Sequence, residues 1–483
     1  MTLASSVFSV TPSSPERLRR LPTTARPIVN ADDILVPEGY RVEAVLVGLS
    51  MPTTLTFGPD GTLFIAEGGS TWPTRPTLPP RLLTLSPEGE LDVFATEDLA
   101  GVRGMSVRDG MLYASAKGGY FSRLVRYDLQ TRERTLILET MPNGGWHEPA
   151  GPIFGPDGLM YFGQGSVTLQ GVNGPADFTV DIAKHPRAHD IPGQDVILTG
   201  ANDWSRDPTA PYPFLTETGP FKPYGSRAEK GEVVKGELWC NSAVWRAKPD
   251  GSEVELLAWG IRNPWGLTFD EEGDLYVADL CMEEKDPRPV GQDPSKVWRV
   301  KNARKPHGTV ETPEWFGFPE IAGDGLPVWH EKHHPRRGPV AQPLIENPSP
   351  WAGPAVYLND PHTGNGKIEY CGYDGFGRRG KLFLCQFGTY WPLNSLRDEH
   401  QNNGFNVVAI DPGTGEAENF MRNRVPGPAS AHPGQGGLER PVDCAFSPDG
   451  RSMYVLDFGV NAANKRNVVA YAHTGVLWRV TRL

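Results

Sequence analysis

A strand–turn–strand pattern recurs along the chain. Its clearest copy spans residues 145–164, GWHEPAGPIFGPDGLMYFGQ, where small and apolar residues alternate, a Pro-Asp-Gly turn follows, and a second apolar run ends on Gln164. Period-two alternation indicates a strand that is buried on one face, and Pro-Asp-Gly indicates a tight turn. The segment is therefore predicted to be a β-hairpin that opens near His147.

Five further segments repeat the pattern: MPTTLTFGPDGTLFIAEGG, VRGMSVRDGMLYASAKGG, NPWGLTFDEEGDLYVADL, GKIEYCGYDGFGRRGKLFLCQFG and RPVDCAFSPDGRSMYVLDFG. Further strand-like stretches follow them, among them RLLTLSPEGELDVFA and SRLVRYDLQTRERTLIL, which suggests four strands per copy. Six such copies predict an all-β protein, a six-bladed β-propeller with four-stranded antiparallel blades around a central channel. A β-sandwich would give no reason for similar hairpins to recur.

The same pattern predicts how the chain is divided. Residues 1–36 begin with a segment rich in Ser, Thr, Pro and Arg and are expected to form an N-terminal arm that is partly irregular, and residues 37–483 a single propeller domain. The final stretch, VLWRVTRL, is expected to complete the blade begun near GYRVEAVLVG. Two long insertions, about 166–237 and 283–354, are expected to rim one mouth of the propeller and shape a pocket.

Composition narrows the range of functions. The net charge of −11 argues against a nucleic-acid binder, which needs a basic face. No apolar run approaches the length of a membrane span, and no signal segment is visible, so the protein is expected to be soluble, and cytoplasmic if Met1 is native. The five cysteines have no paired metal-site spacing and are expected to be buried thiols, with a Cys371–Cys385 bridge as the one pairing worth testing.

A polar residue ends the second strand of every copy. If equivalent positions form a ring around the channel, these residues would meet at one cavity, where burial and mutual charge shift pKa values. The alternative is that they only solvate channel water and tie the blades together. The second-strand residues are Glu67, Lys117, Gln164, Asp279, Gln386 and Asp457. The residues that open the first strands are Arg103, His147, Arg262 with Asn263, and Arg440.

Three segments resemble the soluble quinoprotein glucose dehydrogenase and sorbosone dehydrogenase family. They are WHEPAGPIFGPDGLMYFGQGS, DGSEVELLAWGIRNPWGLTF and GYRVEAVLVGLSMPTTLTFGPDGTLFIAEGG, and the likeness in layout runs from Pro37 to the C-terminus. Members of that family are six-bladed propellers, usually exported, that bind pyrroloquinoline quinone and calcium. The resemblance implies that His147 is the base for a sugar hydroxyl and that Arg262 and Asn263 contact the quinone. The chain has Trp146 where the family commonly has an acidic residue, and Gln386 where it has a quinone-contacting lysine.

Three hypotheses follow for function. The first is a quinone-dependent sugar or aldehyde dehydrogenase that acts on a small sugar-like substrate, with calcium held near Asp279 and the acidic loop of Glu283, Glu284 and Asp286. Its catalytic residues would be His147 and Arg262. Its cofactor-binding residues would be Lys117, Gln164, Arg262, Asn263, Gln386 and Arg440.

The second hypothesis is a metal-dependent hydrolase or lyase of the gluconolactonase-like propeller kind, in which a divalent ion polarises a carbonyl. The metal ligands would be Glu67, Asn263, Asp279 and Asp457. The third is a non-catalytic, carbohydrate-binding propeller that uses the aromatic insertions as its surface. None of the three involves a nucleic acid or a membrane, and the oligomeric state is left open.

Overall fold

The six predicted hairpins are the inner halves of six blades. The computed structural model describes residues 28–68, 79–96, 101–143, 145–177, 185–207, 210–211, 214–395, 397–463 and 468–483. In the described part, each hairpin is extended outward by two further antiparallel strands. The first strands of successive blades contact one another in a closed ring, from blade one to blade six and back to blade one, so they surround the central axis. The predicted fold is confirmed.

The strands of blades one to three, from the innermost outward, have the following bounds. Blade one comprises Thr54–Phe57, Leu63–Glu67, Arg81–Leu85 and Leu91–Ala95. Blade two comprises Val102–Arg108, Met111–Ala116, Phe121–Asp128 and Arg134–Pro142. Blade three comprises Pro149–Phe154, Met160–Gln164, Ala243–Ala247 and Glu255–Trp259, with the short strand Glu314–Trp315 parallel to its outer edge.

Blades four to six follow in the same order. Blade four comprises Gly266–Phe269, Leu275–Asp279, Ser295–Val300 and Tyr357–Asn359. Blade five comprises Asn365–Tyr370, Leu382–Gln386, Asn406–Ile410 and Ala417–Asn423, with Ile34–Leu35 added to its outer edge. Blade six comprises Pro441–Phe446, Ser452–Asp457, Gly475–Arg482 and Tyr40–Leu49.

Short elements complete the described chain. Three small antiparallel pairs lie outside the blades: Val196–Ile197 with Val233–Val234, Asp203–Arg206 with Leu215–Thr218, and Asn461–Ala463 with Val468–Ala470. The helical turns are Ala31–Asp33, Pro175–Asp177, Lys301–Arg304, Glu331–His333, Asp398–His400 and Ala429–Ala431. Among the described residues, no helix is long and apolar enough to cross a membrane.

Blade six joins the two ends of the chain. Its third strand, near the C-terminus, pairs with the N-terminal strand from Tyr40 opposite Arg482 to Leu49 opposite Gly475. This confirms that VLWRVTRL completes the blade begun near GYRVEAVLVG. Because the ring is closed, every blade packs against a neighbour on both faces, and only the outer edges of the sheets remain.

Apolar layers fill the space between neighbouring blades. Between blades three and four, for example, the buried side chains of Tyr161, Leu267, Val277 and Trp298 pack in one cluster. Each blade is covered on both faces, so its second strand is largely buried, and in blade four it is buried at every position of Leu275–Asp279. Full burial of a large apolar side chain stabilises a fold by about 1.5–3 kcal/mol. The layers therefore fix the blades, and with them the starts of the first strands.

The hairpin registers define equivalent positions in different blades. The residue that ends the second strand lies opposite the start of the first strand, as Gln164 lies opposite Pro149 and Gln386 opposite Asn365. In blade six the pair is Asp457 and Pro441. In blade four, Ala278 lies opposite Gly266, and continuing that register places Asp279 opposite Trp265. Positions can therefore be counted back from these partners in each blade.

The structure also tests the predictions that were made for the two insertions and for the cysteines. The segment 283–354 contains Ser295–Val300, the third strand of blade four, so it is not a continuous loop. The segment 166–237 carries only short strand pairs in its described part. All five cysteines are buried and free, as expected for packed thiols, and the Cys371–Cys385 bridge is not formed.

Candidate active site

A cavity opens at the end of the ring where the first strands begin. The volume of the cavity that is accessible to water is about 150 Å³, on the order of ten times the volume that one water molecule needs. Its walls come from the starts of the first strands and from loops that follow the second strands. The polar and aromatic lining residues include Arg103, Trp146, His147, Glu148, Arg262, Asn263, Trp265, Cys281, Glu283, Lys285, His362, Asn365 and Tyr390. Both insertions reach the wall, through Leu169 and through Glu283 and Lys285.

His147 lies at this wall with one ring nitrogen fixed. Its side chain is buried, and Nδ1 lies 2.8 Å from Oγ and 3.0 Å from the backbone oxygen of Ser166. Oγ of Ser166 donates its own proton to the backbone oxygen of Thr168 at 2.6 Å, so both Ser166 oxygens act as acceptors for His147. The imidazole proton is therefore on Nδ1, and Nε2 keeps its lone pair.

The surroundings of His147 favour the neutral ring. Burial, followed by the positive charges of Arg262 and Lys117, holds the pKa of His147 well below its usual value of 6.5. The ring is therefore unprotonated at neutral pH. A neutral imidazole with a free Nε2 can accept a proton from a hydroxyl group in the cavity.

Arg262 is almost completely buried and keeps one donor group unused. Its Nε donates to the backbone oxygen of Leu169 at 2.8 Å. Its Nη2 has no hydrogen-bond partner among the described residues, and the nearest carboxylate oxygen, on Glu283, is 3.8 Å away. The indole Nε1 of Trp265 is also buried without a partner in the part of the chain that the structure describes. A ligand with carboxylate or carbonyl oxygens would satisfy both donors, since a buried unpaired donor costs about 1–3 kcal/mol.

One loop of the first insertion supports both His147 and Arg262. It runs from Ser166 to Leu169, and two buried carboxylates hold its backbone. Asp190 accepts the backbone N–H of Val167 at 2.6 Å, and Asp177 accepts that of Leu169 at 3.2 Å. Burial raises the pKa of Asp190 to about 6 and that of Asp177 to about 8.

The remaining charges near His147 are paired. Arg103 and Glu148, both buried, form an ion pair in the cavity wall. Gln164 donates from Nε2 to the backbone oxygen of His147 at 3.0 Å, and Lys117 donates from Nζ to the backbone oxygen of Gly145 at 3.0 Å. Gln164 and Lys117, predicted as cofactor ligands, therefore hold the segment that carries His147, and neither is among the residues lining the cavity.

Three of the second-strand residues, the predicted metal ligands Glu67, Asp279 and Asp457, hold backbone groups in three different blades. Glu67 accepts the backbone N–H of Ser50 at 2.8 Å. Asp279 accepts that of Asn263 at 2.8 Å and, on its other oxygen, the indole N–H of Trp298 at 3.0 Å.

Asp457 accepts the backbone N–H groups of Glu439 and Arg440, each at 2.7 Å. None of Glu67, Asp279 and Asp457 is among the cavity-lining residues. Within the described ranges, no group of three or more His, Cys, Asp or Glu side chains has the spacing of a metal site. The metal assignment thus stays a prediction from sequence.

The last two predicted cofactor ligands lie behind or beside the cavity. Arg440 donates from Nη1 to the backbone oxygen of Gly388 at 3.0 Å, and its guanidinium packs over the rings of Phe387 and Tyr390. It therefore positions residues that line the cavity. Gln386 lies in a separate polar groove between blades four and five.

Sequence reasoning did not single out His362, which lines the cavity. Asn365 and Trp265 lie opposite the last residue of the second strand in blades five and four. His362 lies three positions before Asn365, and Arg262 lies three positions before Trp265. His147 lies two before Pro149, as Asn263 lies two before Trp265. Aligning the repeats by strand register, rather than by the turn, would have found His362. The lining residues Glu148, Trp265 and Cys281 lie within two positions of the predicted residues His147, Asn263 and Asp279.

These observations define a class: a six-bladed propeller with a buried, neutral imidazole and an unpaired guanidinium donor at one mouth of its channel. Comparison with solved structures confirms the fold. The holo form of the pyranose dehydrogenase PQQ domain from Coprinopsis cinerea superposes with a TM-score of 0.56 at 16% identity, over 96% of this chain and 99% of that one. An iodide structure of a Trichoderma reesei enzyme of Carbohydrate-Active Enzymes Family AA12 gives 0.54 at 13% identity, over 95% and 100%.

A calcium structure of the same Trichoderma reesei family gives a TM-score of 0.51 at 13% identity, over 95% of this chain and 99% of that chain. No family model matches this sequence, and no curated protein matches it. At this level of identity the likeness shows the shared fold. It agrees with the resemblance seen in the repeat motifs.

Proposed function

We propose that the protein is an oxidoreductase that removes hydrogen from a CH–OH group of a sugar or a sugar-derived compound. The observation that carries this proposal is the state of His147, a neutral ring whose proton is held on Nδ1 by Ser166 and whose Nε2 is left to accept a proton at the cavity. Oxidation of such a group removes a proton from oxygen and a hydride from carbon, and Nε2 of His147 would take the proton.

The lowered pKa of His147 has two opposite effects on this role. It keeps the base unprotonated at neutral and mildly acidic pH, because burial and the charges of Arg262 and Lys117 disfavour the imidazolium. It also makes the ring a weaker base, so the alignment of the substrate hydroxyl with Nε2 must supply part of the rate.

The residues of the cavity fit pyrroloquinoline quinone, a planar cofactor with carboxylate and carbonyl oxygens. Nη2 of Arg262 and Nε1 of Trp265 are buried donors in the cavity wall that lack hydrogen-bond partners among the described residues, and Asn263 lies beside them. We propose that these three residues would hold the quinone. When bound, the quinone would supply the acceptor for the hydride.

The test is binding of quinone to the purified protein, with and without Ca²⁺, followed by dye reduction with a panel of aldoses. Saturable binding at micromolar quinone and sugar-dependent dye reduction are expected. Arg262→Met should weaken quinone binding by about tenfold or more, since it removes a charged donor. Arg422→Met, which removes a guanidinium from the separate groove, is the matched control and should bind as the wild type does.

Absence of quinone binding in the wild type would refute the cofactor assignment. Elemental analysis of the same sample tests the metal prediction, because a tightly held metal at Glu67, Asn263, Asp279 and Asp457 would be stoichiometric. A stoichiometric metal together with hydrolysis of sugar lactones would favour the hydrolase hypothesis instead.

A further inference from the structure

A second imidazole, that of His362, lines the same cavity as His147 and is not explained by the proposed base. His362 precedes the first strand of blade five, and only 5% of its surface is exposed. Its ring lies between Cys281, which follows the second strand of blade four, and His400. It therefore lies at the contact between blades four and five.

Cys281 determines where the proton of this ring lies. Its Sγ accepts the backbone N–H of His362 at 3.2 Å and lies 3.6 Å from Nδ1 of the same residue. The Cys281 side chain is buried, and a cysteine thiol, whose ordinary pKa is about 8.5, keeps its proton at neutral pH in such a place. With the thiol as the donor to Nδ1, the ring proton of His362 is on Nε2.

His400 supports this arrangement from the other side. The two imidazole centroids are 5.2 Å apart, and Nδ1 of His400 lies 2.8 Å from Oγ of Ser395. Burial lowers the pKa of His362, and burial together with His362 lowers that of His400 to about 4. Both rings are therefore neutral at pH 7, and neither repels a cation or attracts an anion strongly.

We propose that His362 is a second catalytic residue whose Nε2–H donates a hydrogen bond to an oxygen atom of the sugar, while Nε2 of His147 accepts a proton from it. The inference rests on the proposed function. One cavity then carries two neutral imidazoles in opposite tautomers, one an acceptor and one a donor. Sugars present oxygens of both kinds, because each hydroxyl group can donate and accept, so the pair would orient a polyhydroxylated substrate rather than an anion.

The tautomers can be measured without any turnover. In protein labelled with ¹⁵N-histidine, the ring nitrogen shifts separate protonated from unprotonated nitrogens, and the signals of His362 and His147 are assigned by their loss in His362→Gln and His147→Gln. The wild type should carry the proton of His362 on Nε2 and that of His147 on Nδ1. Cys281→Ser, which keeps a donor, should preserve the His362 tautomer, and Cys281→Ala should shift it toward Nδ1. A proton on Nδ1 of His362 in the wild type would overturn the proposal.

The kinetic test compares two replacements with equal backbone cost. The backbone of His362 has φ +63°, so Gln and Phe are both strained there to a similar degree. His362→Gln keeps an N–H donor and should retain kcat/KM within about threefold. His362→Phe loses the donor and should lower kcat/KM by about tenfold, mainly through KM, as expected for one lost hydrogen bond.

A second pair of variants tests the role of His362 if His362→Phe does not fold. If His362→Phe does not fold, as judged by circular dichroism, Cys281→Ala against Cys281→Ser replaces it, with an expected loss of about threefold in kcat/KM for Ala only. Equal values within either pair would overturn the role of His362. Absence of sugar oxidation by the quinone-loaded wild type would instead defeat the proposed function, and this inference with it, whereas oxidation with a reversed tautomer would defeat this inference alone.

Discussion

Blades four and six use the same backbone contact, but only blade four contributes the side chains at these positions to the cavity. In blade four Asp279 accepts the backbone N–H of Asn263, and in blade six Asp457 accepts that of Glu439. Asn263 and Glu439 both occupy the position of His147, two residues before the partner of the second-strand end. The turn is thus the same, and only the side chain differs.

The side chains of blade six are engaged by the protein itself. Both carboxylate oxygens of Glu439 accept hydrogen bonds from Ser430, one from its backbone N–H at 2.6 Å and one from its hydroxyl at 2.7 Å. Arg440, the next residue, donates to backbone oxygens of residues 387–389. At the position of Glu439, blades three and four carry His147 and Asn263, and one residue earlier blades four and five carry Arg262 and His362. The recurring polar position therefore supports the structure of each blade. It can take part in a reaction only in the blades where its side chain keeps a donor or acceptor atom without a partner among the described residues.

The largest expected effect separates these two kinds of position. His147→Gln removes the proton acceptor and should lower kcat/KM for sugar oxidation by about 10²–10⁴-fold, the usual contribution of a general base. Glu439→Gln, the equivalent position of blade six, should stay within about threefold of the wild type. Initial rates of dye reduction by quinone-loaded protein measure both. Comparable losses in the two variants would mean that His147 acts only through the structure.

The second expected effect is a loss of stability when the Asp that accepts these backbone N–H groups is replaced in blade six or blade four. The carboxylate of Asp457 accepts three backbone N–H groups, and Asp457→Asn should lower the free energy of unfolding by about 2–3 kcal/mol, because at least one buried donor loses its acceptor. Asp279→Asn should destabilise by a similar amount. Urea denaturation followed by tryptophan fluorescence measures both changes.

The two Asp variants should differ in activity. Asp457→Asn should keep kcat/KM per folded molecule, since blade six does not carry reacting groups. Asp279→Asn should lower it several-fold, because the turn of Asn263 is loosened next to Arg262. Equal activities would remove the distinction between blades four and six.

The fold could be predicted from the sequence because the strand period and the Pro-Asp-Gly turns recur six times. The closure of blade six was predicted because the strand-like segments near the two ends of the chain could complete one blade together. The sequence did not predict which of the polar residues stabilise the structure and which face the cavity. Glu67, Asp279 and Asp457 look like ligands in sequence, but each accepts a backbone N–H group from a residue that lies 16–18 positions away.

The supporting loop was also out of reach for sequence analysis. Ser166 determines the proton position of His147, and it lies in an insertion without periodicity, where the next residue, Val167, donates its backbone N–H to Asp190, 23 positions away. His362 could have been found, because it shares its register with Arg262, but the turn in blade five is longer and hides that register. Local pattern thus located the ring of blades, whereas hydrogen bonds between distant residues decide the site.

A smaller effect is expected at Ser166. Ser166→Ala removes the hydroxyl acceptor but keeps the backbone oxygen at 3.0 Å from Nδ1 of His147. The tautomer should therefore persist, and kcat/KM should fall only about threefold, corresponding to part of one hydrogen bond. Steady-state kinetics measure the change, with Ser430→Ala in blade six as a control that should leave kcat/KM unaltered. A loss as large as that of His147→Gln would show that the hydroxyl, rather than the backbone oxygen, holds the ring.

The smallest expected effect is in the pH dependence, and its sign follows from His147. The base works when unprotonated, and its pKa is lowered by burial, Arg262 and Lys117, so activity is lost only when the pH falls through that lowered value. At pH 6.5, where an ordinary histidine is half protonated, kcat/KM should lie within about twofold of its value at pH 7.5. Lys117→Met removes one of the positive charges and should move the acid limb to higher pH. A limb that stays in place in this variant would assign the ionisation to a group other than His147, and would leave blade three without the base that distinguishes it from blade six.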